Sequence, residues 1–497
     1  MIAEEQERRA RLERLKAAGH DPYPARVART HTVADFLAQF DQPDVDGLNA
    51  DGEVTMVGRV RAIRRHGGLS FVRFEDGTGE GQLMIRKDAL TEGAYATLFE
   101  TLDVGDFVEA AGTKGTTKTG ERSLIPSRIR IIAKAILPLP EKWHGLSDTE
   151  KRFRKRELDL IANPSVRATF KARAAIVTAI RSFFDGHGFL EVDTPILQHI
   201  ASGANARPFV THHEALDEEL YLRIAPELFL KRLVVGGFER VYEIARCFRN
   251  EGIDFSHNPE FSQVEAYASY MEYEELMGLM EELLSHMIRA IGKDPAHIEF
   301  QGDVLNFTGP LPRVAYGDVI AEHTGIDINL LTTTPIALKT AREHKVDVGD
   351  TDGIATVIDQ IFKKLVRPNI IQPVFVIDYP AFATPLAKRK PNDPKRLEMF
   401  QLVVGRGLEV MKAFTELNDP IDQEQRMDEQ EEAREQGDDE AQRRDDEFLN
   451  AMKHGMPPMA GVGMGIERIT QVLTNSHNIK EVILFPTLRS QAGDESA

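Results

Sequence analysis

The chain has 497 residues, 42% of them hydrophobic and 28% charged, and a formal net charge of -18. That length exceeds one ordinary core and calls for two or three domains, while the composition excludes a disordered or fibrous chain. No apolar run approaches the roughly 20 residues of a membrane span, no charged-then-apolar leader opens the chain, and the lone Cys247 excludes an internal disulfide. A protein without membrane attachment, in a reducing, cytoplasmic setting, is expected.

Residues 1 to 50 read as a helical extension, its first 18 residues a charged helix ended by Gly19 and the turn Asp21-Pro22-Tyr23-Pro24. From 51 to 137 the pattern changes to short alternating runs between glycine turns: Val54–Val60, Ser70–Phe74, Gly81–Ile85, Asp106–Ala110 and Ser127–Ile132. Five such strands predict a small barrel, with the OB-fold leading. Residues 138 to 165, opened by Leu137-Pro-Leu-Pro, read as a linker. Beyond it, 166–497 form the largest region. Phe170, Ile176, Val177, Ile180, Phe183 and Phe184 recur at helical spacing over 166–185, and strands at 239–244 and 373–377 alternate with helices such as 273–291. An α+β fold follows.

Charge is unevenly spread. Between 421 and 447 there are thirteen acids against four arginines, half of the net charge in a segment predicted to be an exposed helix without an apolar stripe. Basic clusters at Arg59, Arg61, Arg64, Arg65 and Arg73, and again at Lys151–Arg156, suit a phosphate backbone as well as they suit a solvated surface.

Neither of the two commonest nucleotide-binding loops, GxxxxGK[ST] and GxGxxG, is present. In their place stands Val241-Tyr-Glu-Ile-Ala-Arg-Cys-Phe-Arg-Asn-Glu-Gly, followed by His257-Asn-Pro-Glu-Phe-Ser. A strand, loop and strand would set Arg249 and Glu251 on one face, either to grip a phosphate or to form a cross-strand salt bridge.

This loop and Gly461-Val-Gly-Met-Gly-Ile-Glu-Arg closely resemble motifs 2 and 3 of the class II aminoacyl-tRNA synthetases, and the segment ending at Thr194-Pro195 resembles motif 1, the dimer-forming element. All three fall in the family's order. Tyr221-Leu-Arg-Ile-Ala-Pro-Glu-Leu, Leu233-Val-Val-Gly-Gly-Phe-Glu-Arg and Glu416-Leu-Asn-Asp extend the resemblance to bacterial-type lysyl-tRNA synthetases, from near the start of the chain to Arg489. The resemblance implies an antiparallel catalytic sheet flanked by helices, an N-terminal OB-fold that reads the anticodon, and a homodimer. It also implies ATP, L-lysine and tRNA(Lys) as substrates, with Mg²⁺ as cofactor.

By the same resemblance Arg249 and Arg468 are catalytic. ATP lies against Arg249, Glu251, His257, Phe261, Glu409 and Arg468, and lysine against Glu227, Glu265, Tyr267, Phe414, Glu416 and Asn418. Carboxylates suit a substrate with two ammonium groups. Phe71 and Gln82, with Arg59, contact the anticodon, Phe71 by stacking; a place in the barrel core is the alternative for Phe71. Magnesium falls to Glu409 and Gln401. Two departures from the family pattern stand out. A neutral Gln401 occupies the place of a second acidic metal ligand, and the usual Asn-Gly becomes Lys412-Ala413, after a hairpin at Gly405-Arg-Gly one residue longer than usual.

Overall fold

Apolar residues that alternate over parts of each strand shape the first unit. The structure is a computed structural model that describes residues 3–40, 53–140, 148–204, 206–350, 352–435 and 442–489. It separates into two packed units, Met1–Ser147 and Asp148–Ala497. Parts of the expected extension, linker and acidic segment (41–50, 141–147 and 436–441) lie outside the described residues.

In the first unit, helix α1 (Ala3–Ala17) is laced by Glu-to-Arg pairs four residues apart, Arg8–Glu4 at 3.0 Å and Arg9–Glu5 at 2.9 Å. Helix α2 (Val33–Ala38) opens with a capping box between Thr32 and Asp35. Strands β1 (Val54–His66), β2 (Leu69–Glu75), β3 (Glu80–Arg86), β4 (Phe107–Thr116) and β5 (Arg122–Ala133) close a barrel in the order β1-β2-β3-β5-β4. Val72, Phe74, Leu83 and Ile85 point inward and are buried, so their neighbours Phe71, Arg73 and Gln82 belong to the outer face. A short helix, α3 (Ala94–Thr101), connects β3 to β4 and was not legible in the sequence; it adds Tyr95 and Leu98 to the barrel core.

The second unit begins with α4 (Thr149–Arg154), α5 (Arg156–Ala162) and α6 (Pro164–Gly186). Its central sheet has eight strands. Strand β6 (Leu190–Glu191) lies at one edge, and a small sheet of β7 (Leu197–Gln198), β8 (Val210–His213) and β9 (Glu218–Leu222) follows it in the chain. Then come α7 (Glu227–Val235), β10 (Arg240–Phe248), β11 (Glu260–Ser269), α8 (Tyr273–Ala290), and the hairpin β12 (Ile298–Phe300) and β13 (Asp303–Leu305). After β14 (Arg313–Ala315) the chain makes three helices, α9 (Tyr316–Thr324), α10 (Thr334–Glu343) and α11 (Ile354–Ile361), before β15 (Val374–Ile377). A second hairpin, β16 (Arg389–Lys390) and β17 (Asp393–Leu397), precedes β18 (Met399–Val404) and β19 (Leu408–Thr415). Helices α12 (Pro420–Glu435) and α13 (Asp446–Lys453) lead to β20 (Met459–Gly465) and α14 (Ile466–Leu473).

The sheet order is β14-β15-β18-β19-β20-β11-β10-β6, antiparallel except at its two ends. Alternation along its central strands sends two sets of side chains to opposite faces. Ala266, Val462, Met464 and Ala413 pack under α6, α8 and α14, whereas Val241, Tyr267, Phe414 and Met399 face α7, α9, α11 and α13. The second face carries the polar residues discussed below.

Two expectations need correction. Strand β10 stops at Phe248, and the Arg249 N–H still bonds the Pro259 carbonyl at 2.8 Å, but Glu251 lies in an exposed loop. The pair therefore does not share a strand face, and no salt bridge joins them among the described residues. The acidic segment is also less exposed than its composition suggested. On α12, Gln423, Arg426 and Met427 are buried, and Arg426 donates to the Ala387 carbonyl at 2.8 Å. An arginine that caps a backbone carbonyl is invisible to a search for an apolar stripe. Among the described residues, no helix is long and apolar enough to cross a membrane.

Candidate functional site

Antiparallel register dictates which side chains meet. Across the sheet, Gln401 pairs with Lys412, Lys412 with Gly463, Gly463 with Glu265 and Glu265 with Glu243. The next row on the same face runs Met399, Phe414, Gly461, Tyr267 and Val241. Cross-strand partners share a face, so Glu265, Tyr267, Lys412 and Phe414 face one pocket. Glu416 follows Phe414 with its N–H on the Met459 carbonyl at 2.9 Å, and Glu227 enters from the first turn of α7.

The pocket holds a cation of its own that the sequence reading missed. Lys231, one helical turn after Glu227, is almost fully buried, with Nζ 2.7 Å from Glu227 Oε1 and 2.5 Å from Glu416 Oε2. The rings of Phe414 and Phe448 lie 5.5 and 5.9 Å from the same ammonium. Burial acts to lower the Lys231 pKa, but Glu227 and Glu416 more than offset it and hold the ammonium charged. Its signal was the Glu-x-x-x-Lys spacing, which on most helices marks a surface pair.

Three carboxylates thus surround one internal ammonium. Burial pushes Glu265 well above the usual carboxylate range, and the charge of Glu227 adds to the push, against a hydrogen bond from Tyr267 at 3.0 Å. Gln263 Nε2 also donates to Glu265, at 2.6 Å. Burial likewise drives Glu416 up to about 8, although Lys231 pulls it down, and its Oε1 accepts no hydrogen bond among the described residues. The set is therefore short of positive charge, as a site for a doubly cationic ligand must be.

Close packing of the floor needs a glycine at one position. A Cβ on Gly461 would lie 2.3 Å from Tyr267 Cε1 and 2.4 Å from Glu416 Oε1, whereas at Gly463 and Gly465 nothing comes nearer than 3.7 Å. The run Gly461–Gly465 lies in strand β20, with Gly465 as the N-cap of α14. Asn418 does not face the glutamates directly: its Oδ1 accepts from Lys388 at 2.5 Å and its Nδ2 reaches the Met456 carbonyl.

Farther along the same face lie the residues expected to hold ATP. The Arg249 guanidinium sits 4.9 Å from the centre of the Phe261 ring. Its Nε is buried and without a partner among the described residues, a donor awaiting an acceptor. Arg468, in the first turn of α14, donates to the Glu409 carbonyl at 3.0 Å and contacts His257 Nε2 at 3.3 Å. His257 Nδ1 lies 2.8 Å from Asp254 Oδ2. An N–H on Nδ1 donating to Asp254 leaves Nε2 to accept from Arg468, so Asp254 orients the histidine and the histidine steadies the arginine. Glu467, next to Arg468, is buried between Arg173 Nη2 at 2.8 Å and the Ser262 N–H at 2.9 Å, which locks α14 against α6 and β11.

The pair proposed for magnesium does not fit an ion held between its two members. Gln401 is neutral, and its amide oxygen accepts from the buried Tyr379 hydroxyl at 2.7 Å. Lys412, a cation, is its cross-strand partner. Among the described residues no group of three or more His, Cys, Asp or Glu side chains could hold a metal. Cys247 takes no part in such chemistry either, because burial pushes its thiol up to about 12.

On the barrel, Ala62, Arg64, His66, Phe71, Arg73, Gln82, Thr117, Thr119 and Glu121 line a groove of about 200 Å³. Phe71 is half-buried on the outer face with the His66 ring edge-on at 6.3 Å, not in the barrel core. Gln82 donates to Ser123 at 3.0 Å. Arg59 is not among the lining residues; it packs 4.3 Å over the Phe107 ring and donates to the Gly105 carbonyl. Arg64 and Arg73 are the cations at the groove.

The half-buried arginines and the carboxylate pocket lie on one face of this sheet. Residues 148–489 match the model of the class II tRNA synthetases (D, K and N), residues 54–132 match the OB-fold nucleic acid binding domain, and the chain belongs to the class II synthetase family. Within the family it groups with the lysine–tRNA ligases. It is 48% identical over 486 residues to the lysine–tRNA ligase of Roseiflexus castenholzii, covering 98% of both chains. The lysine–tRNA ligase of Chloroflexus aurantiacus is 47% identical with the same coverage, and that of Pelotomaculum thermopropionicum is 44% identical over 97% of this chain and 94% of its own.

Proposed function

We infer that the protein is a lysine–tRNA ligase that activates L-lysine with ATP and transfers it to the 3′ end of tRNA(Lys). The observation that carries the lysine assignment is the pocket of Glu227, Glu265 and Glu416, two of which ion-pair with the buried ammonium of Lys231. Even with Lys231 and Lys412 on this face, Glu265 and Glu416 are held above the usual carboxylate range, and a substrate ammonium would relieve that shortage of positive charge. An acidic side chain would add a fourth carboxylate beside Glu227, Glu265 and Glu416 and be disfavoured.

Lysine's own carboxylate is ionised at neutral pH, so its attack on the α-phosphorus of ATP needs no general base. The new bond joins a carboxylate oxygen to phosphorus, and the bond to the pyrophosphate oxygen breaks, giving lysyl-adenylate and pyrophosphate. Arg249 holds the α-phosphate and meets the charge that grows on it, Arg468 grips the far end of the triphosphate with His257, and Phe261 stacks on adenine. Glu251 lies beside the purine edge, and Glu409 borders the phosphates. The nucleotide enters as its Mg²⁺ complex, the metal being part of the substrate. In the second step the terminal 3′-hydroxyl of tRNA attacks the adenylate carbonyl carbon, and AMP leaves.

The barrel groove with Phe71, Gln82, Arg64 and Arg73 serves the anticodon, one aromatic face for stacking and cations for the backbone. A homodimer through the segment around Pro195 is supported by Leu190, Ile196 and Leu197, which expose 47%, 43% and 49% of their surface. The protein works in the cytoplasm, where tRNA is charged. Pyrophosphate exchange assayed across the amino acids, without tRNA, tests the central reading. Lysine alone should support exchange, and exchange with a different amino acid would overturn the assignment.

A further inference from the structure

The cation on the phosphate side of the pocket has no role in the function stated so far. Lys412 sits in the middle of the sheet, half-buried, opposite Gln401 on one side and Gly463 on the other. Among the described residues its ammonium makes no hydrogen bond or ion pair. Its electrostatic neighbours are Glu409, Glu227, Arg249 and Asp359. A fixed cation in such a place is costly without an anion, and Arg249 beside it marks where the nucleotide's phosphates lie.

A second cation adjoins it. Arg367 donates to the Gly407 carbonyl from Nε at 3.0 Å and Nη2 at 2.6 Å, and so holds the hairpin that leads into Glu409. The hairpin's other contacts reach the same segment, with the Gly405 N–H on the Ile371 carbonyl and the Arg406 N–H on that of Ile370. A Cβ on Gly407 would come within 2.6 Å of the Arg367 carbonyl oxygen, so the extra-long hairpin docks at close range. Arg367 also acts electrostatically on Arg468 and Tyr379.

Charge accounting joins these observations. Against the pattern that the family resemblance implies, a carboxylate at 401 and an asparagine at 412, the neutral Gln401 and cationic Lys412 differ by one negative charge fewer and one positive charge more. The net gain of two is the charge of one divalent ion. We propose that Lys412, supported by Arg367, replaces a protein-held divalent cation at the ATP phosphates, so that the only metal at the site is the one that arrives with the nucleotide. This rests on the reading of the face as an ATP site. Burial lowers the Lys412 pKa, and a nucleotide phosphate nearby would oppose that fall and favour the ammonium.

The test counts ions with Mn²⁺ in place of Mg²⁺, by electron paramagnetic resonance on the full-length protein with the α,β-methylene analogue of ATP. The unsubstituted protein should bind one Mn²⁺ per site with the analogue and none without it. Two or more ions per site, or tight Mn²⁺ binding without nucleotide, would overturn the proposal. The double variant Q401E/K412N should gain a second ion, with its folding checked by circular dichroism and an unchanged melting temperature. A folded variant that still holds one ion counts against us. Lys412→Met should weaken the analogue about tenfold or more while Lys412→Arg restores most of the affinity. If Lys412→Met instead weakens lysine and leaves the analogue unchanged, the ammonium serves the substrate carboxylate and the proposal fails. Failure of the unsubstituted protein to bind the analogue at all would overturn the site reading itself.

Discussion

Gly461 shows how little room the lysine pocket has. A methyl group there would overlap the Tyr267 ring edge and Glu416 Oε1 at less than 2.5 Å, and both of those groups are already buried. Gly461→Ala must therefore push Tyr267 or Glu416 out of position, while Arg249 and Arg468 stay where they are. We expect a fall of about a hundredfold in kcat/KM for lysine, with KM for ATP changed less than about threefold, measured by pyrophosphate exchange; displacements of this kind commonly have such effects. An equal loss for both substrates would mean that the glycine serves the strand and not the pocket.

Protonation at the same pocket gives a second expectation. Without a bound ammonium, burial holds Glu416 at about 8, so it carries a proton at neutral pH for much of the time, and burial shifts Glu265 in the same direction. A substrate ammonium favours the ionised forms and lowers both pKa values, so lysine binding must expel protons. The sign follows: lysine affinity falls as pH drops below about 8, by up to about tenfold per pH unit for each group that has to ionise. Calorimetry of lysine binding in buffers of different ionisation enthalpy should show net proton release near pH 7. Proton uptake would rule the scheme out. Lys231 explains why these features were only partly legible. Glu227, Glu265 and Glu416 could be placed by motif, but a lysine four residues after a glutamate looks like a solvated pair until the fold buries it.

At the scale of elements, legibility followed periodicity. The barrel strands alternate over parts of their length because one face is core and the other solvent, and the 166–185 helix could be read from its stripe of Ile176, Ile180, Phe183 and Phe184. Helix α3 was missed because eight residues between turns give too short a period to distinguish from a loop. The join of α5 to the C-terminal segment was hidden for a different reason: it is made by a buried arginine. Arg156 donates to Asp159 at 2.8 Å and to the carbonyls of Leu484, Lys480 and Ile483 at 2.9, 2.8 and 3.1 Å, between the rings of Phe153 and Phe170. Arg156→Ala would leave three carbonyls and Asp159 Oδ2 without this donor, while Asp159 Oδ1 keeps Arg152 and Asn163. A loss of about 3–5 kcal/mol is expected, which lowers the melting temperature of the catalytic unit by about 5 °C. Calorimetry checks this, and pyrophosphate exchange at low temperature should be nearly unchanged.

The molecule as a whole divides its chemistry between two units with separate cores. The barrel core of Val54, Met56, Val72, Phe74 and Leu83 shares no residue with the two clusters that sandwich the catalytic sheet. On the proposed function, adenylate formation draws on the second unit's residues and anticodon recognition on the first unit's groove. Phe71 is the residue that can separate the two, because its ring is half-buried on the outer face and no inward-facing barrel residue depends on it. A stacked base contributes about 1–3 kcal/mol, so Phe71→Ala should lower kcat/KM for tRNA by roughly 5- to 150-fold. Lysine-dependent pyrophosphate exchange, measured in the same preparation without tRNA, should stay within about twofold of the unsubstituted protein. A parallel loss in both assays would show that Phe71 supports the fold. No loss in either would remove the barrel groove from tRNA recognition, and with it the reason for an aromatic residue on a solvent-facing strand beside Arg64 and Arg73.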